Sequence, residues 1–169
     1  KPWVRFTPGL PLLHNSQLVT GESYDSRSEI HTKDRKYDLP DIILESVYGI
    51  HNNQLYFAAH PVKAPEKKNI YVLSFKTGAV SLRHEGGYWL ASLQNNHLVT
   101  INYLKEKSIK QTVVYDLITN DSHAITSVSE MPSVRSKIFF HTLGKNKLST
   151  AVILPANYRK LKKIPVIMS

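Results

Sequence analysis

The chain has 169 residues, enough for one domain and the start of a second. Its apolar residues, 41% of the total, fall in runs far shorter than the roughly 18 to 20 a membrane helix needs, and the absence of cysteine excludes disulfides, a thiolate nucleophile and thiolate metal sites. The net charge is +9, but the basic residues are dispersed, and no group interleaves with aromatics as base stacking requires, so a nucleic-acid partner is not expected.

Those basic groups are Lys33, Arg35 and Lys36; Lys67 and Lys68; Lys105, Lys107 and Lys110; and Arg159, Lys160, Lys162 and Lys163. Each reads as solvated loop charge. The start, Lys1-Pro2-Trp3-Val4-Arg5, has neither a signal-peptide nor a transit-peptide pattern, so a cytoplasmic protein without a membrane partner is expected. Both ends read as though cut from a longer polypeptide.

A repeat runs through the first three quarters of the chain. Leu12-Leu13-His14-Asn15-Ser16-Gln17-Leu18-Val19-Thr20 is matched by Tyr48-Gly49-Ile50-His51-Asn52-Asn53-Gln54-Leu55-Tyr56-Phe57 and by Ala91-Ser92-Leu93-Gln94-Asn95-Asn96-His97-Leu98-Val99-Thr100. Gln17, Gln54 and His97 occupy equivalent places, separated by 37 and then 43 residues. Each copy has an Asn-Ser or Asn-Asn corner, and asparagine tolerates the positive φ of a tight hairpin. Third strands are expected at 28–32, 70–75 and 112–117, and fourth strands at 79–83 and 123–126. In the first copy Leu39-Pro40-Asp41 interrupts the fourth strand, because proline cannot sit in a central ladder.

Four strands at a period of about 40 residues is the pattern of a propeller blade. The expected fold is therefore all-β: a partial β-propeller of about three four-stranded antiparallel blades, at 3–44, 45–86 and 87–128, within a domain spanning 1–128. Three blades do not close a ring, so exposed blade faces or strand edges are expected to drive self-association.

The pattern then changes. Residues 129–136 form a polar, proline-containing connector. In 137–169 two long strands, 137–142 and 148–154, flank the turn Leu143-Gly144-Lys145-Asn146-Lys147, and a further strand ends the chain at Pro165–Ser169.

This junction resembles the prolyl oligopeptidase family. The residues that carry the resemblance are Ile153-Leu154-Pro155-Ala156-Asn157-Tyr158 and Lys162-Lys163-Ile164-Pro165-Val166-Ile167-Met168. Ser46-Val47-Tyr48-Gly49-Ile50, Asn69-Ile70-Tyr71-Val72-Leu73 and Gly86-Gly87-Tyr88-Trp89-Leu90-Ala91-Ser92 are similar to the last blades of its dipeptidyl peptidase IV and acylaminoacyl-peptidase-like bacterial branch. One departure is Gly144-Lys145-Asn146 at the hairpin tip, where the family often has an acidic or asparagine residue before glycine.

The resemblance implies that 137–169 opens an α/β-hydrolase domain, and that the parent is a serine peptidase acting on short peptides behind a propeller that restricts access. It also implies what the chain lacks. Neither a Gly-x-Ser-x-Gly-Gly elbow nor a Glu-Glu pair for a substrate amino terminus occurs in it. No catalytic residue and no cofactor is therefore assigned, and the substrate-binding residues are left open. The eight histidines lack metal-ligand spacing and read as structural. The aromatics Trp3, Tyr56, Phe57, Tyr71, Tyr88, Trp89 and Tyr115 read as packing between blades. The alternative function is a propeller scaffold that binds a protein partner without catalysis.

Overall fold

A computed structural model describes residues 7–102, 111–125, 136–145, 148–155 and 157–160. The fold is all-β, with no α-helix among the described residues and none long and apolar enough to cross a membrane. Packing divides the chain into two units, 1–127 and 128–169.

The first unit is three antiparallel sheets of four strands, each laid down in chain order. The first sheet comprises β1 (Leu12–His14), β2 (Gln17–Ser23), β3 (Arg27–His31) and β4 (Lys36–Pro40). The second comprises β5 (Ile42–His51), β6 (Gln54–Pro61), β7 (Asn69–Ser74) and β8 (Val80–His84). The third comprises β9 (Trp89–Gln94), β10 (His97–Asn102), β11 (Gln111–Asp116) and β12 (Ser122–Ile125).

The corners fall where asparagine permits them. Asn15 and Ser16 have φ of 48° and 61°, Asn52 and Asn53 have 47° and 59°, and Asn95 has 52°. In register, His14 pairs Gln17, His51 pairs Gln54 and Gln94 pairs His97, so the three copies close the same hairpin. Pro40 does not abolish a fourth strand in the first copy. It occupies the last position of β4, an edge strand, where no ladder partner needs its missing N–H.

Alternation along the strands sorts side chains between faces. In β6, Leu55, Phe57 and Ala59 join Val19, Ile30, Leu39 and Leu44 in a core between the first two sheets, while Tyr56 joins Val72 and Leu98 in a smaller one between the second and third. The second sheet is thus covered on both faces, as its unbroken apolar runs require. Segment 7–10 is latched to β5: Val47 N–H donates to Pro8 O at 2.8 Å, and Leu10 is buried in the larger core.

The second unit contains β13 (Ser136–Leu143) paired with β14 (Leu148–Pro155), followed by a 3-10 turn at Tyr158–Lys160. The anticipated connector at 129–135, the strand at Pro165–Ser169 and the loop lysines 105, 107, 110, 162 and 163 lie outside the described residues, as does Trp3.

Candidate functional site

Two polar clusters are built into the first unit. One lies on the face of the first sheet that points away from the second. Ser28 and Ile30 face the second sheet, and Ser28 Oγ accepts from Leu44 N–H at 2.8 Å, so alternation turns Arg27, Glu29 and His31 outward. Register adds Glu22 opposite Glu29 on one side and Asp38 on the other, with Lys36 opposite His31. The Glu29 side chain is 0% exposed because its neighbours lie over it, although Arg27 and Lys36 are themselves half exposed.

Lys36 Nζ donates to Glu29 Oε2 at 2.8 Å, and His31 Nε2 lies 3.2 Å from the same oxygen. Arg27 Nη2 is 3.3 Å from Oε1, an ion pair without hydrogen-bond geometry. The hydrogen bond from Lys36, with help from His31, holds the Glu29 carboxyl below its ordinary range. Tyr24 OH donates to Glu22 Oε2 at 2.7 Å, which pushes the phenol up to about 12. Glu22, Glu29 and His31 each bring one ligand atom within 4.8 Å of the others. With Lys36 and Arg27 already neutralising Glu29, the arrangement is a closed charge network rather than a metal centre.

The second cluster sits where the second and third sheets meet. Lys68, only 5% exposed, donates to Glu45 Oε1 at 2.7 Å and holds its ammonium 5.2 Å from the centre of the Tyr88 ring. His60 Nδ1 is 3.8 Å from Glu45 Oε2. The Tyr48 hydroxyl is buried, and burial raises its pKa against the opposing pull of Ser46, Lys68 and the Ala91 backbone. His84 is stacked on Trp89 at 4.6 Å and tilted against Tyr115 at 5.2 Å, while Arg83 lies over the Tyr115 ring. Burial, with Arg83 adding repulsion, pushes the His84 imidazole down to about 4.

These placements correct one reading of the sequence. Lys68 is not a loop charge in solvent but is buried in an ion pair, and Lys36, although half exposed, lies on a strand and closes a carboxylate network. Arg35 is likewise engaged, over the Tyr37 ring and within 3.5 Å of the Lys76 and Thr77 carbonyls. The alternation Arg27-x-Glu29-x-His31 was the available signal for the first cluster, since it sets three ionisable groups on one strand face. Lys68 had no such signal, because its partner comes from another strand. Of the aromatics, Tyr56, Phe57 and Tyr71 are core residues, Trp89 and Tyr115 flank His84, and Tyr88 is half exposed beneath Lys68.

Among the described residues, no hydrogen bond joins a serine hydroxyl to a histidine ring. The imidazole–carboxylate contacts among them are His31–Glu29, His60–Glu45 and His97–Asp116. No family model matches the chain, and no curated protein matches it.

Proposed function

We propose that this chain is the non-catalytic propeller portion of a serine peptidase of the prolyl oligopeptidase type, running from the last three blades into the opening hairpin of the hydrolase domain. The observation that carries the reading is the order of elements. Three consecutive four-stranded antiparallel sheets, stacked in sequence, are followed by a separate unit with a hairpin of two eight-residue strands. The junction residues Leu154-Pro155-Ala156-Asn157-Tyr158 and Lys162-Lys163-Ile164-Pro165-Val166 support it by resemblance alone. In this reading the blades wall off a hydrolase site and admit only short peptides, and all nucleophilic chemistry belongs to residues outside this chain.

The test is the longer polypeptide that the proposal requires. Its coding sequence beyond Ser169 is expected to carry a tyrosine-glycine-glycine-proline loop and then a Gly-x-Ser-x-Gly-Gly elbow. The protein spanning both is expected to hydrolyse dipeptidyl or acyl-aminoacyl amides and to take up a fluorophosphonate on the elbow serine. This chain alone should do neither. Stoichiometric labelling of a serine within 1–169, or a downstream sequence without the elbow, refutes the proposal.

A further inference from the structure

The two seams between the three sheets are built differently. Twelve buried residues form the core between the first and second sheets, and direct bonds cross that seam at several places. Tyr37 OH donates to Phe75 O at 3.0 Å, Leu44 N–H to Ser28 Oγ, Val47 N–H to Pro8 O, and His14 Nε2 lies 2.9 Å from Asn53 Oδ1. Among the described residues, the buried apolar cluster between the second and third sheets is Tyr56, Val72 and Leu98, with the partly buried Tyr48, Ala91, Leu93, Tyr115 and Leu117 packed against it. Two buried polar atoms there, His84 Nε2 and Thr100 Oγ1, have no hydrogen-bond partner among the described residues, whereas the Tyr48 hydroxyl is met by Ser46 and by the Ala91 backbone. Each such atom taxes the closed state by its lost hydration, which opening restores.

The backbone hydrogen bonds crossing this second seam among the described residues gather at one end. Lys68 N–H donates to Gly87 O at 3.0 Å, and Trp89 N–H donates to Lys68 O at 2.9 Å. Beside them, Gly86 N–H donates to Asn69 Oδ1 at 3.1 Å. Between the sheets at this end lie Gly86 and Gly87, with φ of 75° and 87°, a pair free to absorb backbone rotation. At the other end of β9, Leu93 packs against Gly49 of β5.

We infer that the third sheet is a detachable element, which opens as a unit from the second sheet about a hinge at Gly86–Gly87. The Lys68 bridge holds the hinge end, and the Leu93–Gly49 contact is the end that parts. Opening uncovers a slot lined by Tyr48, Tyr56, His84, Leu98 and Thr100. The inference rests on the packing of this chain and is independent of the peptidase reading.

Amide-resolved hydrogen exchange on the full chain tests it. The slowest amides of β10 and β11 should exchange at least about 30-fold faster than the slowest of β6 and β7, with one shared denaturant dependence smaller than that of global unfolding. A clamp supplies the second arm. A Cβ built on Gly49 lies 3.8 Å from Leu93 Cβ, the mean separation across a disulfide, and the chain has no other cysteine. Oxidised Gly49→Cys/Leu93→Cys should lose the exchange gap, and the same protein reduced should keep it, so strain at position 49 cancels in the comparison. Equal protection of the second and third sheets in the unmodified chain overturns the inference, as does a gap that survives the clamp. The unmodified chain decides by itself if the clamped variant does not fold.

Discussion

Lowering the pH from 7 to 5 should weaken the first unit through His84. The imidazole is neutral in the folded chain because burial against Trp89 and Tyr115, helped by Arg83, depresses its pKa from 6.5 to about 4. The unfolded chain binds a proton below 6.5, whereas the folded chain resists binding one until about 4. Stability from this residue is therefore complete above pH 6.5 and drains away as the pH falls towards 4. An unscreened shift of this size amounts to about 2 kcal/mol at pH 5 and about 3 kcal/mol at full protonation. The ring keeps a solvent-facing edge, so about half of that, near 1 kcal/mol at pH 5, is the expected loss. Urea titration followed by tryptophan fluorescence suits the measurement, since Trp89 stacks on the ring, and a loss of about 1 kcal/mol moves the midpoint by about 0.5 M. His84→Phe keeps an aromatic ring in the stack and cannot titrate. The pH 7 to pH 5 loss should be smaller in the variant by about 1 kcal/mol. Identical losses in the two proteins refute the reasoning.

Phe57→Ala empties a fully buried site stacked on Tyr71 and should cost about 3 to 5 kcal/mol in chemical denaturation. Gly9→Ala should destabilise by about 2 kcal/mol or more, measured the same way, because φ is 87° and the new Cβ would collide with the Val47 carbonyl oxygen. Glu29→Gln should remove part of the acid sensitivity below the ordinary carboxylate range. The Glu29 pKa is lowered by its hydrogen bond from Lys36, so its contribution is present at neutral pH and is lost as the pH falls through that range, and thermal melts of both proteins across it provide the check. Phe140 and Ile153 are exposed on one face of the β13–β14 hairpin and should support weak self-association, visible as concentration-dependent sedimentation that Ile153→Lys reduces.

Strand order and hairpin corners were legible in the sequence because both are local. Asn15, Asn52 and Asn95 declare a positive φ without help from the rest of the chain, and Leu55-Tyr56-Phe57 declares a strand beside its corner. The clusters were less legible because they are not local. Lys68 reads as a surface lysine until Glu45, 23 residues earlier, is brought to 2.7 Å by the packing of the second sheet. His84 reads as one more structural histidine until β9 and β11 supply the two rings around it. The sequence reading of Pro40 failed on position, since a residue forbidden at the centre of a ladder is acceptable at the end of an edge strand.

The outward face of the first sheet bears directly on the propeller proposal. In a ring, the preceding blade packs on that face as the second sheet packs on the other. An apolar patch would invite such a neighbour, and the sequence reading expected one. The face instead carries Glu22, Arg27, Glu29, His31, Lys36 and Asp38, with Leu13 and Leu18 exposed beside them. Covering it with an apolar blade would strip water from half-exposed Arg27 and Lys36, a desolvation cost of several kcal/mol per ion that their pairing with Glu29 offsets only in part. A blade that packs here must therefore offer polar groups of its own, or the ring must be open at this seam. Either arrangement makes this boundary wetter and weaker than the twelve-residue core behind it. Face-to-face pairing of two copies through the first sheet is disfavoured for the same reason, which leaves the exposed apolar side chains of the β13–β14 hairpin as the better route to self-association.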